Sequence, residues 1–357
     1  MPAFAVETPQ RSYEVVVERG VLDRLAAYVP ERAGKVFVVS TEDVWQLYGG
    51  KLARGLCRVP HEVLFFAGGE ERKRLAGVEA LAQEMVARGG DRSSLLIAFG
   101  GGIVNDLGGF LAAIFMRGIP VLQVPTTLLA QVDAGIGGKT GVNLRAGKNL
   151  LGCFHQPLAV LIDPAVLATL PEREYRAGLF EVIKCGVIRS PVLFLLMRER
   201  HREVLARAWD LVEETIAECV RIKAEVVSAD ERESGLRRIL NFGHTVGHAL
   251  EAETGYTKFL HGEAVGFGMR AAVHLAERTG RLPAEDAAAI LDTIRLYGPL
   301  PSLEGITAEA LVARLRSDKK TVQGRVHFVL PEKIGQVTVV SGIEEARVRS
   351  AVQDALA

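Results

Sequence analysis

Short apolar runs alternate with helical patterns through the first half of the chain. The runs are rich in Val, Ile, Leu and Phe and cover residues 13–18, 35–40, 61–66, 94–99 and 120–125. Between them, apolar residues recur with the helical period in Val44–Arg54, Leu75–Arg88 and Ile103–Met116. This alternation predicts βαβ units in a mostly parallel sheet, and the continuous apolar character of the strands predicts burial on both faces.

From about Pro171 onward, helical patterns dominate. They cover Glu172–Ile188, Trp209–Ser228, Leu236–Glu253, Gly262–Thr279, Ala284–Leu296 and Ala308–Ser317, and a β pair at 325–330 and 336–340 precedes a last helix. We therefore expect an α/β domain with a Rossmann-like parallel sheet over residues 1–170, followed by a mainly α-helical domain over 171–357. A ligand cleft is expected near their junction, at residues 160–180.

Composition and charge exclude several classes of protein. The chain has 357 residues, with 43 Lys plus Arg and 43 Asp plus Glu, so it lacks the basic excess of most nucleic-acid binders. No apolar run is long enough to cross a membrane, and the N-terminus does not resemble a signal peptide. The four cysteines form no CxxC motif, which is typical of reduced thiols in a cytoplasmic protein.

A glycine-rich turn follows the apolar run at 94–99. Gly100, Gly101 and Gly102 lead directly into a helix, where glycines let the backbone approach a phosphate and the first helical N–H groups can bind it. The turn is not the GxGxxG fingerprint, so a tight strand-to-helix connection remains the alternative.

Residues 123–150 are dense in glycine, hydroxyl groups and cations. We interpret this stretch as a long functional loop, in which Lys139 and Lys148 each follow a glycine and can approach an anion closely. Other polar groups of the loop are Thr126, Thr127, Asp133 and Asn149. The alternative is a pair of solvated lysines.

Glu181 and Lys184 lie three residues apart on an otherwise apolar helix. Isolated charges on such a face are costly unless they are paired or bound to a metal. An intrahelical ion pair is therefore the alternative to a metal ligand.

Polar groups recur at helical spacing between residues 229 and 251. Glu233, Arg237, Asn241, His244 and His248 would share one stripe of a continuous helix. A stripe of this kind is difficult to explain as core packing.

His261 opens a further Gly- and Ala-rich helix. Together with Glu181 and His244, and with His248 as an additional candidate, it could form a Glu/His/His set that suits catalytic Zn²⁺. Lys319 and Lys320, before the strand at 325–330, are either ligand contacts or a solvated basic turn.

Taken in order and spacing, these segments resemble the 3-dehydroquinate synthases, which are sugar-phosphate cyclases. The matching segments are GGGIVNDLGGFLAA, RGIPVLQVPTTLLAQVDAGIGGKTGVN, GKNLLGCFHQP, TLPEREYRAGLFEVIK and ESGLRRILNFGHTVGHALE with HGEAVGFGM. The resemblance covers nearly the whole chain. It implies a cytoplasmic, homodimeric carbon–oxygen lyase of the shikimate pathway that uses NAD⁺ and a divalent metal, Zn²⁺ or Co²⁺. Such an enzyme converts 3-deoxy-D-arabino-heptulosonate 7-phosphate into 3-dehydroquinate and phosphate.

The resemblance also implies roles for individual residues. The metal ligands would be Glu181, His244 and His261. NAD⁺ contacts would be Glu70, Lys73, Gly102, Ile103, Val104, Asn105, Asp106, Thr126, Thr127, Lys139, Lys148, Val166, Leu167, Ala168 and Thr169. Substrate contacts and catalytic groups would be Asp133, Lys139, Asn149, Lys184, Lys223, Glu233, Arg237, Asn241, His248 and one of Lys319 and Lys320, with Lys320 preferred. Arg117 resembles an arginine that reaches the phosphate site of the neighbouring subunit.

Two positions depart from the family pattern, and both bear on how the cofactor is held. Asn105 stands where many members have glycine, and Thr41 replaces an acidic residue often found near the adenine ribose.

Three other functions remain as alternatives. A related cyclase could act on a different sugar phosphate, although the motifs around Lys139 and Asn149 match the dehydroquinate pattern better. A polyol dehydrogenase of the glycerol dehydrogenase type would accumulate NADH and would lack the lysine-rich phosphate pocket. An NAD-binding protein without catalytic activity would release no phosphate.

Overall fold

The computed structural model describes residues 2–317 and 326–357. Its strands in chain order are β1 (Ala3–Glu7), β2 (Ser12–Val17), β3 (Val36–Ser40), β4 (His61–Phe65), β5 (Leu95–Gly100), β6 (Val121–Pro125), β7 (Lys139–Leu144), β8 (Gly147–Phe154), β9 (Ala159–Ile162), β10 (His327–Lys333) and β11 (Gln336–Ser341). Its α-helices are α1 (Glu42–Leu56), α2 (Leu75–Ala87), α3 (Gly102–Ile114), α4 (Glu172–Arg189), α5 (Pro191–Glu199), α6 (His201–Leu205), α7 (Trp209–Ala229), α8 (His244–Glu253), α9 (His261–Arg278), α10 (Ala284–Leu296), α11 (Ala308–Ser317) and α12 (Glu345–Leu356).

A seven-stranded sheet organises the first half of the chain. Its strand order is β1-β2-β9-β6-β5-β3-β4, and every neighbouring pair except β1 with β2 is parallel. The predicted parallel sheet is therefore confirmed. The sequence patterns did not predict β1 or β9, which flank β2 in this order.

Both faces of the sheet are covered, as the continuous apolar runs predicted. Along β3, Phe37 and Val39 pack in one hydrophobic cluster with residues of α2 and α3, whereas Val36 and Val38 pack in another with residues of α1. Side chains alternate across a strand, so burial on both sides requires apolar residues at successive positions.

The stretch at 123–150 is more regular than the predicted loop. After β6, a single π-helical turn at Ala130–Ala134 leads into the antiparallel hairpin of β7 and β8. The prediction of one long loop was therefore wrong. Closely packed strands explain the glycines, because a Cβ on Gly152 would lie 2.1 Å from the carbonyl oxygen of Thr140.

The chain divides into two compact units. The first contains Met1–Pro171 and Ile216–Arg232, and the second contains Glu172–Thr215 and Glu233–Ala357. The long helix α7 thus contributes residues to both units. The predicted division at 170/171 assigned all of α7 to the second domain, whereas the compact units separate within this helix.

The helix predicted over Leu236–Glu253 is interrupted. A short 3₁₀ helix spans Leu236–Asn241, Gly243 has a φ of 80°, and α8 begins at His244. A Cβ on Gly243 would lie 2.7 Å from the carbonyl oxygen of Val265, so glycine permits both the left-handed backbone and the close contact with α9. The prediction of one continuous polar stripe is therefore wrong, although His244 and His248 do lie one turn apart on α8. Within the described ranges, no helix is long and apolar enough to cross a membrane.

Candidate active site

Helices α4, α8 and α9 of the second unit approach one another unusually closely. A Cβ on Gly262 of α9 would lie 1.8 Å from the carbonyl oxygen of Ala177 on α4. A Cβ on Gly268 would lie 1.8 Å from the carbonyl oxygen of Gly243, which immediately precedes α8. Only glycine fits at these contacts, and the close packing brings the polar residues of three helices into one cluster.

That cluster contains Glu181 from α4, His244 and His248 from α8, and His261 from the start of α9. Oε1 of Glu181 lies 3.6 Å from Nε2 of His244 and 3.7 Å from Nε2 of His261. The three imidazoles each offer a nitrogen within 4.8 Å of the others. The sequence-predicted ligands are therefore brought together, with His248 beside them.

Hydrogen bonds orient two of these imidazoles. Nδ1 of His244 lies 3.1 Å from the carbonyl oxygen of Phe242, and Nδ1 of His261 lies 3.3 Å from Oε2 of Glu251, which is buried. When each Nδ1–H donates to its oxygen, each Nε2 keeps its lone pair and faces Glu181. Glu251 was not predicted from the sequence, because its distance from His261 depends on how α8 packs against α9.

The donor set fits a divalent cation. Oε1 of Glu181 is buried and accepts no hydrogen bond from any residue in the described part of the chain. With both imidazoles in that tautomer, a carboxylate oxygen and two imidazole lone pairs converge, an arrangement that a cation stabilises. The separations of 3.6 and 3.7 Å are close to the roughly 3.3–3.6 Å expected between tetrahedral ligands with metal bonds of about 2.0–2.2 Å.

Lys184 forms an ion pair with the other oxygen of Glu181. Both side chains are fully buried, and the ammonium contacts Oε2. The alternative considered for this pair, an intrahelical salt bridge, is therefore present, and it leaves Oε1 directed at the histidines. One carboxylate can thus serve both interactions.

The polar residues before α8 form a separate local arrangement. Asn241 donates a hydrogen bond from Nδ2 to Oε1 of Glu233, whose backbone has a φ of 61°. Arg237 lies in the intervening 3₁₀ helix and is 1% exposed. A guanidinium that is buried to this degree requires anionic or polar partners, which is typical of a ligand-binding segment.

In the first unit, the glycine-rich turn joins β5 to α3 as predicted. A Cβ on Gly100 would lie 2.7 Å from the side chain of Val104, and a Cβ on Gly101 would lie 3.0 Å from that of Thr127. Glycines therefore let the turn close against its neighbours, and α3 begins at Gly102, where a helix start can bind a phosphate. The N–H groups of Val104 and Asn105 already donate to the carbonyl oxygen of Gly101.

A buried lysine connects predicted cofactor and substrate residues. Nζ of Lys73 donates to Oδ2 of Asp106 at 2.5 Å and to Oδ1 of Asn149 at 2.6 Å. Burial raises the pKa of Asp106, and the charge of Lys73 opposes that shift in part. Lys148 lies 3.7 Å from Glu70 in the same neighbourhood.

Asn143 of β7 completes this cluster and was not predicted. Its amide group donates to Glu70 and accepts from the N–H of Asn149. The sequence signal was available, since Asn143 lies between Lys139 and Lys148. However, nothing in the pattern distinguishes an inward-facing asparagine from a solvated one.

Other predicted residues occupy distinct positions in the first unit. Nζ of Lys223 donates to the backbone and side-chain oxygens of Asp133, both at 2.5 Å. Thr126 is buried, and Oγ1 of Thr127 accepts a 3.3 Å hydrogen bond from the N–H of Ala130. Lys139 is exposed on β7.

The predicted cofactor-binding segment at 166–169 is held in place by two buried side chains and by a contact with α1. Val166 and Leu167 are buried, whereas Ala168 and Thr169 are exposed. The hydroxyls of Tyr48 and Thr169 lie 2.9 Å apart, so α1 also holds this segment.

The two departures from the family pattern also have defined positions. Asn105 is 1% exposed and donates from Nδ2 to the carbonyl oxygen of Ala98 on β5, so its side chain ties α3 to the sheet. Ile103 and Val104 follow Gly102 in the first turn of α3. Thr41 immediately precedes α1.

Arg117 is exposed and has a φ of 73°. Lys319 and Lys320 lie outside the described residues.

Comparison with known proteins identifies the family. Residues 63–177 match the family model for the 3-dehydroquinate synthase N-terminal region, and residues 178–321 match the model for the C-terminal region. The chain belongs to the 3-dehydroquinate synthase family. A 3-dehydroquinate synthase of Solibacter usitatus is 65% identical over 357 residues, with 100% of each chain covered.

Solved structures of related enzymes have the same fold. A 2-epi-5-epi-valiolone synthase from Streptomyces hygroscopicus subsp. jinggangensis, with NAD⁺ and Zn²⁺ bound, aligns with a TM-score of 0.88 and 31% identity over 98% of each chain. A 2-deoxy-scyllo-inosose synthase, complexed with carbaglucose-6-phosphate, NAD⁺ and Co²⁺, aligns with a TM-score of 0.86 and 25% identity over 99% of each chain.

Membership in the family confirms the predicted activity. The reaction is the phosphate-eliminating conversion of 3-deoxy-D-arabino-heptulosonate 7-phosphate to 3-dehydroquinate in the shikimate pathway. The family uses NAD⁺ and a divalent metal, and the predicted α/β class with a helical second part is confirmed as well.

Proposed function

We propose that the chain performs this reaction with Glu181, His244 and His261 as ligands of the divalent metal. The observation that carries the assignment is the buried Oε1 of Glu181, which faces Nε2 of both histidines at 3.6 and 3.7 Å. Zn²⁺ in the valiolone synthase and Co²⁺ in the inosose synthase support either ion here. When bound, the metal would act as a Lewis acid that polarises hydroxyl groups of the substrate.

His248 and Glu233 handle protons in this proposal. His248 lies beside the ligand set, with its ring centroid 5.3 Å from that of His244 and 5.7 Å from that of His261. An imidazole has the pKa range required to accept and return a proton near neutral pH. Glu233 can relay that proton, and its hydrogen bond to Asn241 holds the carboxylate in place.

Cationic and amide groups bind the two anionic parts of the substrate. We assign Arg237 and Lys223 to the carboxylate, because charge-assisted hydrogen bonds to carboxylates are strong and directional. We assign Lys139, Asn149 and Asn241 to the phosphate. Asp133 and Lys184 complete the substrate contacts, and Lys320 stays a prediction.

The first unit binds NAD⁺, which accepts a hydride and returns it when bound. The glycine-rich turn at the start of α3 and the residues around Lys73 support this assignment. The proposed contacts are Glu70, Lys73, Gly102, Ile103, Val104, Asn105, Asp106, Thr126, Thr127, Lys139, Lys148, Val166, Leu167, Ala168 and Thr169.

We also propose a homodimer in which Arg117 serves the partner's phosphate site. Arg117 follows the exposed apolar side chains of Ile114 and Met116, which favour a protein contact. Mixing an Arg117→Ala chain with a His248→Ala chain tests this, since a mixed dimer would contain one intact site. Recovery of about a quarter of wild-type activity is expected from random pairing, whereas an inactive mixture contradicts a contribution from the partner.

A cytoplasmic location is proposed from the cysteines. None of Cys57, Cys153, Cys185 and Cys219 forms a disulfide, and two of the four are buried. Reduced, unpaired thiols are typical of cytoplasmic proteins.

The decisive experiment separates the two histidines of α8. His244→Ala should lose the metal, whereas His248→Ala should retain both metal and NAD⁺ and lose turnover by about 10²–10⁴-fold. Bound metal is measured by elemental analysis, and turnover by phosphate release from the heptulosonate phosphate with and without a chelator. Stoichiometric metal loss in the His248 variant would contradict the assignment, and net accumulation of NADH without phosphate release would favour a polyol dehydrogenase instead.

A further inference from the structure

The side chain of Asn143 in the β7–β8 hairpin makes hydrogen bonds to two different segments of the first unit. It is 6% exposed and lies on β7, between the predicted phosphate-binding Lys139 and Asn149. Neither its position in the sequence nor the family resemblance assigned it a role.

The nitrogen and the oxygen of its side-chain amide both make hydrogen bonds, and so does its backbone N–H. Nδ2 donates to the carbonyl oxygen of Glu70 at 3.0 Å and to Oε1 of the same residue at 2.6 Å. Oδ1 accepts the N–H of Asn149 at 2.9 Å. The backbone N–H of Asn143 donates to the carbonyl oxygen of Lys73 at 2.7 Å. One residue thus connects the turn at Glu70–Lys73 with the end of the hairpin.

The contact with Asn149 supports a left-handed backbone conformation. Asn149 has a φ of 51°, in the region that asparagine adopts more readily than most residues other than glycine. This conformation leaves Oδ1 of Asn149 2.6 Å from Nζ of Lys73, which in turn contacts Asp106. Loss of the bond from Asn143 would therefore release Asn149 and remove a partner from a buried lysine.

We propose that Asn143 is a positioning residue that holds the cofactor-binding turn and the phosphate-binding Asn149 in one hydrogen-bonded unit. Both ligands then meet side chains that are already oriented, and neither binding event has to order the loop. The inference rests on the proposed function, which assigns Glu70 and Lys73 to NAD⁺ and Asn149 to the substrate phosphate.

The test compares Asn143→Ala and Asn143→Ser with Thr140→Val. Thr140 is a matched control, because it lies on the same strand, is buried, and donates one hydrogen bond to the carbonyl oxygen of Cys153 outside the unit. Three quantities are measured: the Kd of NAD⁺ without substrate, the KM and kcat for the heptulosonate phosphate, and the melting temperature. Asn143→Ser keeps the inference testable if the Asn143→Ala variant does not fold.

In a folded Asn143 variant, the Kd of NAD⁺ and the KM should both rise by about tenfold. Such a rise corresponds to a loss of binding free energy equivalent to about one hydrogen bond for each ligand. The value of kcat should change much less, because oriented binding groups act on ground and transition states alike. Thr140→Val should lower the melting temperature while leaving Kd and KM within about twofold of wild type.

Two results would overturn the inference. One is a folded Asn143 variant with unchanged Kd and KM, and the other is a variant in which only one of the two constants changes. Wild-type protein that neither binds NAD⁺ nor releases phosphate would instead show that the proposed function has failed, so the two failures are distinguishable.

Discussion

Two clusters of polar residues differ in their electrostatics. One is the proposed metal cluster of the second unit, which contains Glu181, His244, His248 and His261. The other is the Lys73–Asn143 cluster of the first unit, which contains Glu70, Lys73, Asp106, Asn143 and Asn149. Around Glu181, one carboxylate oxygen lies 3.6 and 3.7 Å from the Nε2 atoms of His244 and His261. Around Lys73, each donor has an acceptor: the ammonium contacts Asp106 and Asn149, and the amide of Asn143 contacts Glu70. The first arrangement suits the cation that we propose for it, whereas the second is satisfied by its own side chains.

This difference indicates how each cluster depends on its ligand. A bound metal stabilises donors that converge on one point, so the proposed metal should contribute directly to the stability of the second unit. A self-satisfied network is rigid without ligand and acts through preorganisation. Substitutions in the two clusters should therefore have different signatures, with metal affinity affected in one and cofactor or substrate affinity in the other.

The largest effect is expected for Glu181→Gln. The change removes a proposed metal ligand and breaks the buried ion pair with Lys184. We expect loss of metal and destabilisation of about 3–5 kcal/mol, the usual cost of breaking a buried ion pair. Elemental analysis and urea unfolding measure these two effects.

Glu172→Gln on the same helix is the matched control. Glu172 pairs with Arg176 at the surface, where the loss should stay below about 1 kcal/mol. If the two substitutions lowered the free energy of unfolding equally, the buried ion pair between Glu181 and Lys184 would contribute no more to stability than the surface pair of Glu172.

A smaller effect is expected for Glu251→Gln. Oε2 of Glu251 lies 3.3 Å from Nδ1 of His261, a contact that would orient the ring toward the proposed metal. Removing such a carboxylate should weaken metal affinity by about 10–100-fold, which competition with a chromophoric chelator measures in protein free of substrate. Glu253→Gln, which removes a surface pair with Arg314, should leave the affinity unchanged. An unaltered affinity in the Glu251 variant would contradict the orienting role.

The smallest effect concerns a histidine of the first unit that serves the fold. Nε2 of His155 lies 2.9 Å from the carbonyl oxygen of Ile119, and burial lowers the pKa of His155. The unfolded state then takes up a proton at a higher pH than the folded state does. The free energy of unfolding should therefore fall as pH decreases below the ordinary histidine pKa of about 6.5, by at most about 1.4 kcal/mol per pH unit.

Urea unfolding at pH 7.5 and pH 5.5 measures this dependence. In His155→Gln the contribution should disappear, because an amide can still donate to Ile119 but does not titrate. Identical pH dependence in the variant and the wild type would assign the effect to other groups.

Local patterns predicted much of the fold. Continuous apolar runs predicted β3, β5 and β6 because a parallel strand covered on both faces must be apolar at every position. The pattern failed at Leu236–Glu253, where apolar periodicity continues through Asn241 and Phe242 although the backbone turns at Gly243. A single glycine within a periodic segment is compatible with either a helix or a break, and contact with α9 selects the break.

The candidate site shows the same division. Residue types and their order indicated a carboxylate and imidazole set of the kind that Zn²⁺ prefers, with His248 as a further candidate, and the family resemblance implied Glu181, His244 and His261 as the ligands. Glu251 and Asn143 could not be selected in this way. Each acts through a hydrogen bond to a residue brought near by packing or strand pairing, and neither belongs to a spacing pattern.

The order of apolar runs and the identity of the chemical groups were thus readable in the chain, since both are local properties. Tertiary structure alone decided which groups face one another and at what distance. In the second unit, α9 packs so closely against α4 and the start of α8 that Gly262 and Gly268 leave no room for a side chain at these contacts. At such short range, a shift of about an ångström separates a metal site from a group of histidines that merely lie near a carboxylate.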